Sequence, residues 1–455
     1  MSIFGTDGIR ARAGEGLLST DSVESIGRSL ASTIHDRGEF PLDFGTERGT
    51  AVYIGRDTRG SGPQLLGQLS EGFLSAGLDV CDLGIMPTPG IAEAARSSEE
   101  CCLAIVLSAS HNPAQDNGIK LISAAGSKVS DQLEEEVSRR FHSGVSTESP
   151  QRGTLRDISG DAFEQYVNFL VSASDGGLEG RKVFIDAANG AASAVAPEVF
   201  RRLGMEVRSI GDQPDGNNIN DGCGSLFPGK LSEAVRESGF DIGFCLDGDA
   251  DRLIPISAGG TIFDGDLVLA LGGRHYQAAG KLPSNAVVAT VMSNIGLERS
   301  LGECGIQLIR TSVGDRNVYS QMREGGHPVG GEQSGHIIFM DHSSTGDGVL
   351  ASIQLLGFLR DQGLDLDRAA EIMTSYPQVL QNVRVRERVP LEGVGALQEI
   401  VGNVEAQLGE EGRVLLRYSG TEPLLRVMLE GPQQQLVEQL CEKICGVIRD
   451  AIGEQ

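Results

Sequence analysis

The residue types best suited to covalent chemistry stand in one short turn, Ser108–Pro113, which holds two serines, a histidine and an asparagine. The apolar run Leu103–Leu107 precedes this turn and is typical of a buried strand, and Pro113 cannot continue a sheet. In open α/β sheets, ligands bind beyond the carboxyl ends of the strands. A hydroxyl at that edge, beside an imidazole, is a candidate nucleophile. A Ser/Asn-rich turn that only closes a strand fits the same residues equally well.

Three aspartates at alternate positions follow a second apolar run, 242–246. Alternate residues of an extended chain project to one side, so Asp247, Asp249 and Asp251 can converge. Three carboxylates repel one another unless a cation lies among them, and oxygen ligands with positions left open for a phosphate suit Mg²⁺. An EF-hand calcium loop is excluded because its sixth and twelfth positions are not glycine and glutamate here. A phosphatase with an aspartyl nucleophile after a strand stays open as an alternative.

A third stretch has the composition of an anion-binding loop. Arg417–Pro423 follows a strand-like run and is rich in glycine, serine and threonine, whose N–H and hydroxyl groups bind anions. Arg417 and the nearby Arg426 add charge-assisted and potentially bidentate hydrogen bonds. The loop predicts a phosphate site, although an ordinary polar hairpin has a similar composition.

A fourth stretch, Gly330–His336, is suited to a sugar. Its glycines allow a tight loop, and Glu332, Ser334 and His336 alternate so that they can share a face. A carboxylate and a hydroxyl are suitable partners for sugar hydroxyls or for an amine. On its own this pattern is weak, and a histidine satisfied within a turn is the simpler interpretation of His336.

The elements that must position these loops alternate between short apolar runs and longer amphipathic segments, which is typical of βαβ units and mainly parallel sheets. The clearest predicted strands are 51–54, 79–83, 103–107, 119–123, 182–186, 242–246 and 286–292, and the clearest helices are 62–76, 88–96, 191–203 and 347–360. We predict a surface loop over 35–50 and a polar, strand-free boundary over 143–160. After Pro377 the order strand, helix, two strands, helix predicts an α+β module, which we expect to be joined to the preceding domains by a single linker.

The composition excludes several classes of protein. A chain of 455 residues is too long for one core. Its 63 acidic and 38 basic residues give a net charge of −25, which argues against nucleic acid or an anionic membrane as a partner. No apolar run approaches the roughly 20 residues that cross a bilayer, and the first residues lack the features of a secretory signal. Because its cysteines form no CxxC pair, we expect a cytoplasmic, reduced protein.

Taken in order, the four loops resemble the motifs of the α-D-phosphohexomutase family over nearly the whole chain. The family's phosphoserine, metal, sugar and phosphate loops are similar to Ser108–Pro113, Asp247–Arg252, Gly331–His336 and Arg417–Pro423. Phe4–Arg10 and Thr290–Asn294 bring the chain closest to the bacterial branch that acts on glucosamine 6-phosphate. The resemblance implies three similar α/β domains and a C-terminal α+β domain around a central cleft. We place these domains at 1–155, 156–255, 256–370 and 371–455.

The resemblance also implies roles for single residues. Ser110 would carry a phosphate and, with Asp247, Asp249 and Asp251, would hold one Mg²⁺. The residues that would line the reacting centre are Arg10, Lys120, Arg252 and His336. Of the two candidate bases, Lys120 and His336, we favour Lys120, provided that cationic neighbours lower its pKa.

Substrate binding is implied for two groups of residues. Glu332 and Ser334 would bind sugar hydroxyls. The residues that would bind the distal phosphate are Arg417, Ser419, Gly420, Thr421 and Arg426. The basic members of both sites would thus gather the cations that an acidic chain needs for a phosphate substrate.

The reaction implied by the resemblance is the isomerisation of glucosamine 6-phosphate to glucosamine 1-phosphate, an amino-sugar step that leads to peptidoglycan. Its intermediate and activator would be a hexose 1,6-bisphosphate. Mannose or glucose phosphates are the alternative substrates, and an aspartyl-nucleophile sugar phosphatase or a non-catalytic phosphosugar-binding protein are the alternative functions. We expect no nucleic-acid or membrane partner, and a homodimer is a family-level expectation.

Overall fold

The computed structural model describes residues 2–44, 49–145, 148–419 and 422–454. The chain divides into two units, Met1–Val291 with Ile309–Ala370, and Met292–Leu308 with Glu371–Gln455. Three mixed sheets with parallel pairs lie in the first part of the chain and one antiparallel sheet lies near its end, which confirms the predicted α/β class with a C-terminal α+β part. None of the described helices is long and apolar enough to span a bilayer.

The first sheet contains the strand that leads to Ser110. Its strands are β1 (Ile9–Arg12), β2 (Ala51–Arg56), β3 (Asp79–Ile85), β4 (Cys101–Leu107), β5 (Asp116–Ser123) and β6 (Leu155–Asp157). They lie in the order β1-β5-β4-β2-β3-β6, and β2 is parallel to β3 and β4 while β5 is antiparallel to β4 and β1. All of β4 is buried, as its continuous apolar run predicts.

The helices that accompany this sheet bury its apolar residues. They are α1 (Thr20–His35), α2 (Pro41–Phe44), α3 (Gly62–Ser75), α4 (Thr88–Ser97) and α5 (Asp131–Ser143), and α6 (Ser159–Ser172) follows β6. In α1, for example, Val23, Ile26 and Leu30 recur at helical spacing and are fully buried. The resulting core includes Leu103, Ile105 and Leu107 of β4, so the turn after β4 begins at a buried strand end.

The second sheet contains the strand that leads to the three aspartates. Its strands are β7 (Lys182–Asp186), β8 (Glu206–Ile210), β9 (Ile242–Leu246) and β10 (Leu253–Ser257), and the next helices are α7 (Val195–Arg202) and α8 (Gly229–Ser238). The order is β10-β9-β7-β8, with β9 parallel to β7 and antiparallel to β10. The aspartate loop is therefore the connection between two adjacent, buried strands.

The third sheet contains the sugar loop predicted at Gly330–His336. Its strands are β11 (Ala286–Thr290), β12 (Gln307–Thr311), β13 (Val329–Gly331) and β14 (Ile337–Phe339), and the helices of this part are α9 (Gly265–Ala278), α10 (Ile295–Gly302), α11 (Asp315–Gly325), α12 (Gly348–Gln362) and α13 (Leu366–Ala370). The order is β12-β11-β13-β14. The loop joins the antiparallel pair β13 and β14 as a tight turn.

The last sheet belongs to the second unit. Its strands are β15 (Gln378–Arg384), β16 (Arg413–Tyr418) and β17 (Leu424–Glu430), and its helices are α14 (Gly395–Leu408) and α15 (Gln434–Ile452). The strand order β15-β17-β16 is antiparallel throughout. The observed order of strand, helix, two strands and helix confirms the prediction for this module.

The prediction of a single linker to this module is wrong. Residues 292–308, which include α10, belong to the second unit, so the chain passes between the two units three times. The physical reason lies in side-chain contacts: Asn294 Nδ2 donates to the carbonyl of Tyr376 at 2.9 Å, and Arg299 Nη1 donates to the Tyr376 hydroxyl at 2.7 Å.

Two local predictions are also wrong. The segment 35–50 is not only a surface loop, because α2 lies within it and Phe44 is fully buried. The segment 143–160 is not strand-free, because β6 pairs in parallel with β3. All three residues of β6 are exposed, so no apolar run marks the strand. The domain bounds at 155 and 255 stay a prediction.

Candidate active site

Ser110 lies two residues beyond a serine that holds its backbone. Its N–H donates to Ser108 Oγ at 2.9 Å, and Ser108 Oγ in turn donates to Asp57 Oδ2 at 2.6 Å. The φ angle of Ser110 is +50°, a left-handed conformation that is costly for residues other than glycine. In this conformation Ser110 Oγ donates to Asp247 Oδ2 at 2.9 Å. The structure therefore brings the serine turn and the aspartate loop together.

Asp247, Asp249 and Asp251 converge as predicted. All three side chains are buried, and one carboxylate oxygen of each lies within 4.8 Å of the others. Two backbone features make the loop this tight: Ala250 is left-handed, with φ +57°, and a Cβ on Gly248 would lie 2.6 Å from the Ser110 carbonyl. The glycine thus permits the close approach of the two loops.

These carboxylates have different partners. Asp249 Oδ2 accepts from Thr88 Oγ1 at 2.7 Å and from Lys120 Nζ at 3.0 Å. Burial opposes the charge of Asp251, but its contact with His336 outweighs this and holds the pKa of Asp251 below its usual range. Within the described part of the chain, Asp247 forms no ion pair with a cationic side chain. Burial together with the other two carboxylates raises the pKa of Asp247 well above the usual value.

The site passes a test for a bound cation. Oδ1 of Asp249 and Oδ1 of Asp251 are buried, and neither accepts a hydrogen bond from any described residue. Orphaned buried acceptors are costly, and a hard divalent cation bound by oxygen atoms removes that cost. The aspartate triad is thus compatible with a metal site.

Lys120 lies at the centre of β5 and is buried. Its Nζ is 3.0 Å from Asp249 Oδ2 and 3.3 Å from Asp7 Oδ2. Burial alone would lower the pKa of Lys120, but these carboxylates outweigh burial and raise it above its usual value. The expectation that cationic neighbours lower this pKa is therefore wrong, because the groups at hydrogen-bond distance are anions.

His336 is buried between a carboxylate and a backbone amide. Its Nδ1 is 3.4 Å from Asp251 Oδ2, and its Nε2 accepts from the N–H of Gly346 at 3.0 Å. Burial opposes protonation, whereas Asp251 favours it and raises the pKa of His336 to about 9. The hydrogen bond from Gly346 requires a lone pair on Nε2, so it belongs to the neutral ring with its proton on Nδ1, the form that this pKa favours above about pH 9.

Residues of the serine turn, the aspartate loop and the sugar loop line one cavity of about 470 Å³. The predicted site residues among its lining are Ser110, Arg10, Asp251, Arg252, Glu332 and His336. His111 also lines it, with Nδ1 3.1 Å from Ser110 Oγ. Burial, Arg252 and Arg10 lower the pKa of His111.

Two hydrogen bonds orient the sugar loop. Glu332 Oε1 accepts from the N–H of Gly314 at 3.1 Å, and the backbone of Glu332 pairs with His336. Glu332 faces the cavity, whereas Ser334 is exposed and its Oγ lies 3.5 Å from Glu332 Oε2. The structure thus places Glu332 at the cavity, with the exposed Ser334 beside its carboxylate.

The predicted phosphate loop lies in the second unit. Arg417 and Arg426 are directly opposite each other on β16 and β17, and neither Nε has a hydrogen-bond partner within the described ranges. Burial and the positive charge of Arg426 lower the pKa of Arg417. Ser419 is buried and its Oγ accepts from the N–H of Glu422 at 3.3 Å. Gly420 and Thr421, which complete the predicted set, lie outside the described residues.

Sequence reasoning missed several polar residues of this site. Asp7 forms ion pairs with Arg10, Lys120 and Lys128. Arg59 is a buried arginine beside the serine turn. A signal for Arg59 exists, because charged residues follow directly after β2 at the same edge of the sheet as the end of β4. Asp7 lies in Phe4–Arg10, one of the stretches that carry the family resemblance, but no role was predicted for it.

Four family profiles match the chain in sequence order. They describe phosphoglucomutase/phosphomannomutase alpha/beta/alpha domains I, II and III at residues 1–148, 161–260 and 264–376, and the C-terminal domain at residues 380–447. A phosphoglucosamine mutase of Geotalea daltonii is 42% identical over 462 residues, covering 99% of this chain and 98% of the relative. The chain belongs to the phosphoglucomutase/phosphomannomutase family, the α-D-phosphohexomutases. The resemblance drawn from the four loops is thereby confirmed.

Two further members of the family are similar along their whole length. A phosphoglucosamine mutase of Symbiobacterium thermophilum is 45% identical, with 98% of each chain covered. A phosphoglucomutase/phosphomannomutase family protein from Burkholderia thailandensis is 25% identical in sequence. Its crystal structure superimposes with a TM-score of 0.82, covering 99% of this chain and 97% of that one. The phosphohexomutase fold therefore extends over the entire chain.

Proposed function

We propose that the chain is a phosphoglucosamine mutase, an isomerase that interconverts glucosamine 6-phosphate and glucosamine 1-phosphate. The observation that carries the proposal is the Ser110 hydroxyl, 2.9 Å from Asp247 in a buried group of three aspartates. The preference for the amino sugar is supported by the relatives, which share that name at 42% and 45% identity.

In the proposed cycle Ser110 carries a phosphate on Oγ. The P–Oγ bond breaks, a P–O bond to O1 of the 6-phosphosugar forms, and the O1 proton passes to a base. The hexose 1,6-bisphosphate then turns around and returns its 6-phosphate to Ser110 Oγ: the P–O6 bond breaks, a P–Oγ bond forms, and O6 takes back the proton from the protonated base. Because the serine ends as it began, the cycle moves the phosphate without consuming any.

We assign Asp247, Asp249 and Asp251, with the phosphorylated serine, as ligands of one Mg²⁺. The bound ion would neutralise charge on the phosphoryl oxygens, which is the main requirement of phosphoryl transfer. Arg10 and Arg252 line the cavity beside Ser110 and would donate to the same oxygens. Lys120, held by two carboxylates, serves as a fixed cation behind the aspartate loop.

We assign His336 as the base that takes the sugar proton. Lys120 keeps its proton because Asp249 and Asp7 stabilise its charge. Below its pKa of about 9 the ring is mostly protonated, so only the neutral fraction of His336 would take the proton, at Nε2, giving up the hydrogen bond from Gly346. Asp251 at Nδ1 would stabilise the imidazolium, as the carboxylate of a catalytic triad does.

Two sites would bind the rest of the substrate. Glu332, oriented by the N–H of Gly314, would accept from a sugar hydroxyl or from the ammonium group, and Ser334 would add a second contact. Arg417 and Arg426, with Ser419, Gly420 and Thr421, would bind the phosphate that is not being transferred. The Nε atoms of both arginines, which have no hydrogen-bond partner among the described residues, support this assignment.

The test is a direct assay of the purified protein with Mg²⁺ and a catalytic amount of glucose 1,6-bisphosphate. Phosphorus NMR follows conversion of glucosamine, glucose and mannose 6-phosphates to their 1-phosphates. We expect the highest kcat/KM for glucosamine 6-phosphate and no turnover by Ser110→Ala. A matched control is Ser123→Ala, which removes a buried hydroxyl that bonds Ser127 and should leave activity intact.

Other outcomes would assign other functions. A higher kcat/KM for glucose or mannose 6-phosphate would make the chain a phosphoglucomutase or a phosphomannomutase. Steady release of inorganic phosphate that persists in Ser110→Ala would indicate a phosphatase with Asp247 as nucleophile. Binding without turnover would indicate a non-catalytic relative. The cytoplasmic location, the role in peptidoglycan supply, and the homodimer stay predictions.

A further inference from the structure

One fully buried arginine, Arg59, gathers the backbone carbonyls of the turn that carries Ser110. Its Nη2 donates to the carbonyl of Ser110 at 3.0 Å and to that of Asn112 at 2.8 Å. Its Nη1 donates to the carbonyl of Asp116 at 2.9 Å and also to that of Pro113. Three carbonyls of the turn and that of Asp116, the first residue of β5, thus accept from a single guanidinium, whose side chain is 0% exposed.

The guanidinium is itself fixed from the other side. Asp57 Oδ2 accepts from Arg59 Nε at 2.9 Å, and the same oxygen accepts from Ser108 Oγ at 2.6 Å. Ser108 Oγ in turn accepts from the N–H of Ser110. Asp57 therefore connects the arginine that holds the carbonyl of Ser110 to the serine that holds its N–H.

A second donor comes from the part of the chain that contains the second sheet. Asn220, which follows β8, donates through Nδ2 to the carbonyl of Ser110 at 2.9 Å and to that of Asn112 at 3.1 Å. Next to Arg59, the N–H of Gly60 donates to the carbonyl of Gly216 at 2.8 Å. The serine turn is thereby tied to the part of the chain that carries the aspartate loop.

Ser110 needs such support because its backbone is strained. At φ +50° a serine is strained where a glycine would not be, yet only a serine supplies the hydroxyl. Strained residues persist where the surroundings over-determine them. Charge-assisted donors are stronger than neutral ones, so an arginine suits this task better than a neutral side chain.

We propose that Arg59, together with Asn220, is a positioning residue for phosphoryl transfer. Both residues donate to the carbonyl of Ser110, and Arg59 also holds its N–H through Asp57 and Ser108. The pair thereby fixes Ser110 Oγ against Asp247 and sets the position of the serine turn relative to the aspartate loop. Arg59 touches neither substrate nor the reacting atoms and acts only through the backbone of the turn. The kinetic part of this proposal rests on the mutase function proposed above.

The first experiment measures kcat and KM of Arg59→Lys. Lysine keeps the charge but loses the planar, multidentate donor set, so the turn shifts while the sugar site is untouched. We expect kcat to fall about 10- to 100-fold and KM to change less than about twofold, because small misplacements of a reacting group act on the chemical step. Arg140→Lys is the matched control, since Arg140 is a buried arginine bonded to Ser32 and Asp36, away from the turn.

The second experiment measures the local stability of the serine turn and needs no activity assay. Amide hydrogen exchange of residues 108–116 should become faster in Arg59→Lys and stay unchanged in Arg140→Lys. Inactivity of the wild-type protein with all three sugars would defeat the proposed function and leave this readout intact. Unchanged exchange in the turn, or an equal loss of kcat in Arg140→Lys, would overturn the role of Arg59.

Asn220→Gly keeps the test decisive if Arg59→Lys does not fold. Asn220 has φ +59°, so glycine removes the amide without backbone strain. We expect a smaller fall in kcat, with KM unchanged and faster exchange over the same turn. Because Arg59 and Asn220 share two carbonyl acceptors, their effects in the double variant should be non-additive; strict additivity would contradict a shared role.

Discussion

Neutralising one aspartate of the triad should make the metal-free protein more stable while abolishing its response to Mg²⁺. Asp247 is the best choice because Asp249 is paired with Lys120 and Asp251 with His336, whereas among the described residues Asp247 accepts only from the Ser110 hydroxyl and the N–H of Arg252. Asp247→Asn removes the charge and keeps a carbonyl oxygen for the serine.

The magnitude follows from the spacing of the carboxylates. Two unit charges about 5 Å apart repel by about 3 kcal/mol at an effective dielectric constant of about 20. Asp247 faces two such charges, each partly offset by its own cation, so we expect a net gain of about 1–3 kcal/mol in the absence of metal. For a chain of this length the entropy of unfolding is about 1 kcal/mol per kelvin, so the midpoint should rise by about 1–3 °C.

The assay is thermal unfolding at pH 8 in EDTA and in Mg²⁺. At a Mg²⁺ concentration about 100 times the dissociation constant, the wild-type protein should gain about 2.7 kcal/mol, or roughly 3 °C. Asp247→Asn should start higher in EDTA and gain nothing from Mg²⁺. A variant that is less stable than the wild type in EDTA, yet still responds to Mg²⁺, would refute the reasoning.

Asp186→Asn is the matched control for this experiment. Asp186 is a buried aspartate at the end of β7, next to β9, and it accepts from the N–H groups of Ala188 and Gly224. It has no neighbouring carboxylate among the causes that raise its pKa, which are led by burial. We expect Asp186→Asn to lose stability and to keep the full response to Mg²⁺.

Three further predictions concern other parts of the chain. Burial raises the pKa of Asp347 to about 6, so folding takes up a proton between about pH 4 and 6. Stability should therefore fall by about 3 kcal/mol as the pH rises through that range, and thermal melts of Asp347→Asn should lack this fall. Gly8→Ala should destabilise the protein more than Gly14→Ala, because both have positive φ but only the Gly8 Cβ would meet the Ile119 carbonyl, at 2.5 Å; equal melting temperatures would contradict this. Arg426→Gln should raise KM about 10-fold or more with a smaller change in kcat, because a charge-assisted bond to phosphate contributes about 1.5–3 kcal/mol, and steady-state kinetics would measure it.

Much of the candidate site could be predicted because its residues lie in short, local patterns. The run before Ser108 is entirely apolar and forms β4, and the run before Asp247 forms β9. The alternate spacing correctly predicted that the three aspartates converge, although the loop is a tight turn with a left-handed Ala250 and not an extended chain. Where the apolar pattern was weak the prediction failed, as for the exposed strand β6 and for the buried Phe44.

The environment of each side chain could not be predicted in the same way. The expectation of cationic neighbours for Lys120 was wrong because Asp7 and Asp249 are distant in the sequence and meet it only through the pairing of strands and the packing of loops. The same is true of the link between the module near the C-terminus and residues 292–308. Side-chain pairing of this kind depends on sheet register, which no local window contains.

The amino-acid sequence by itself determined the family, the fold class and the residue types of the four loops, because apolar periodicity and loop composition are local properties. Only the tertiary structure decided that Ser110 meets Asp247 across 137 residues of chain, and that Arg59 and Asn220 hold the serine turn from behind. The physical reason is that buried polar groups must find partners, and which partners are within reach is set by the packing of whole sheets.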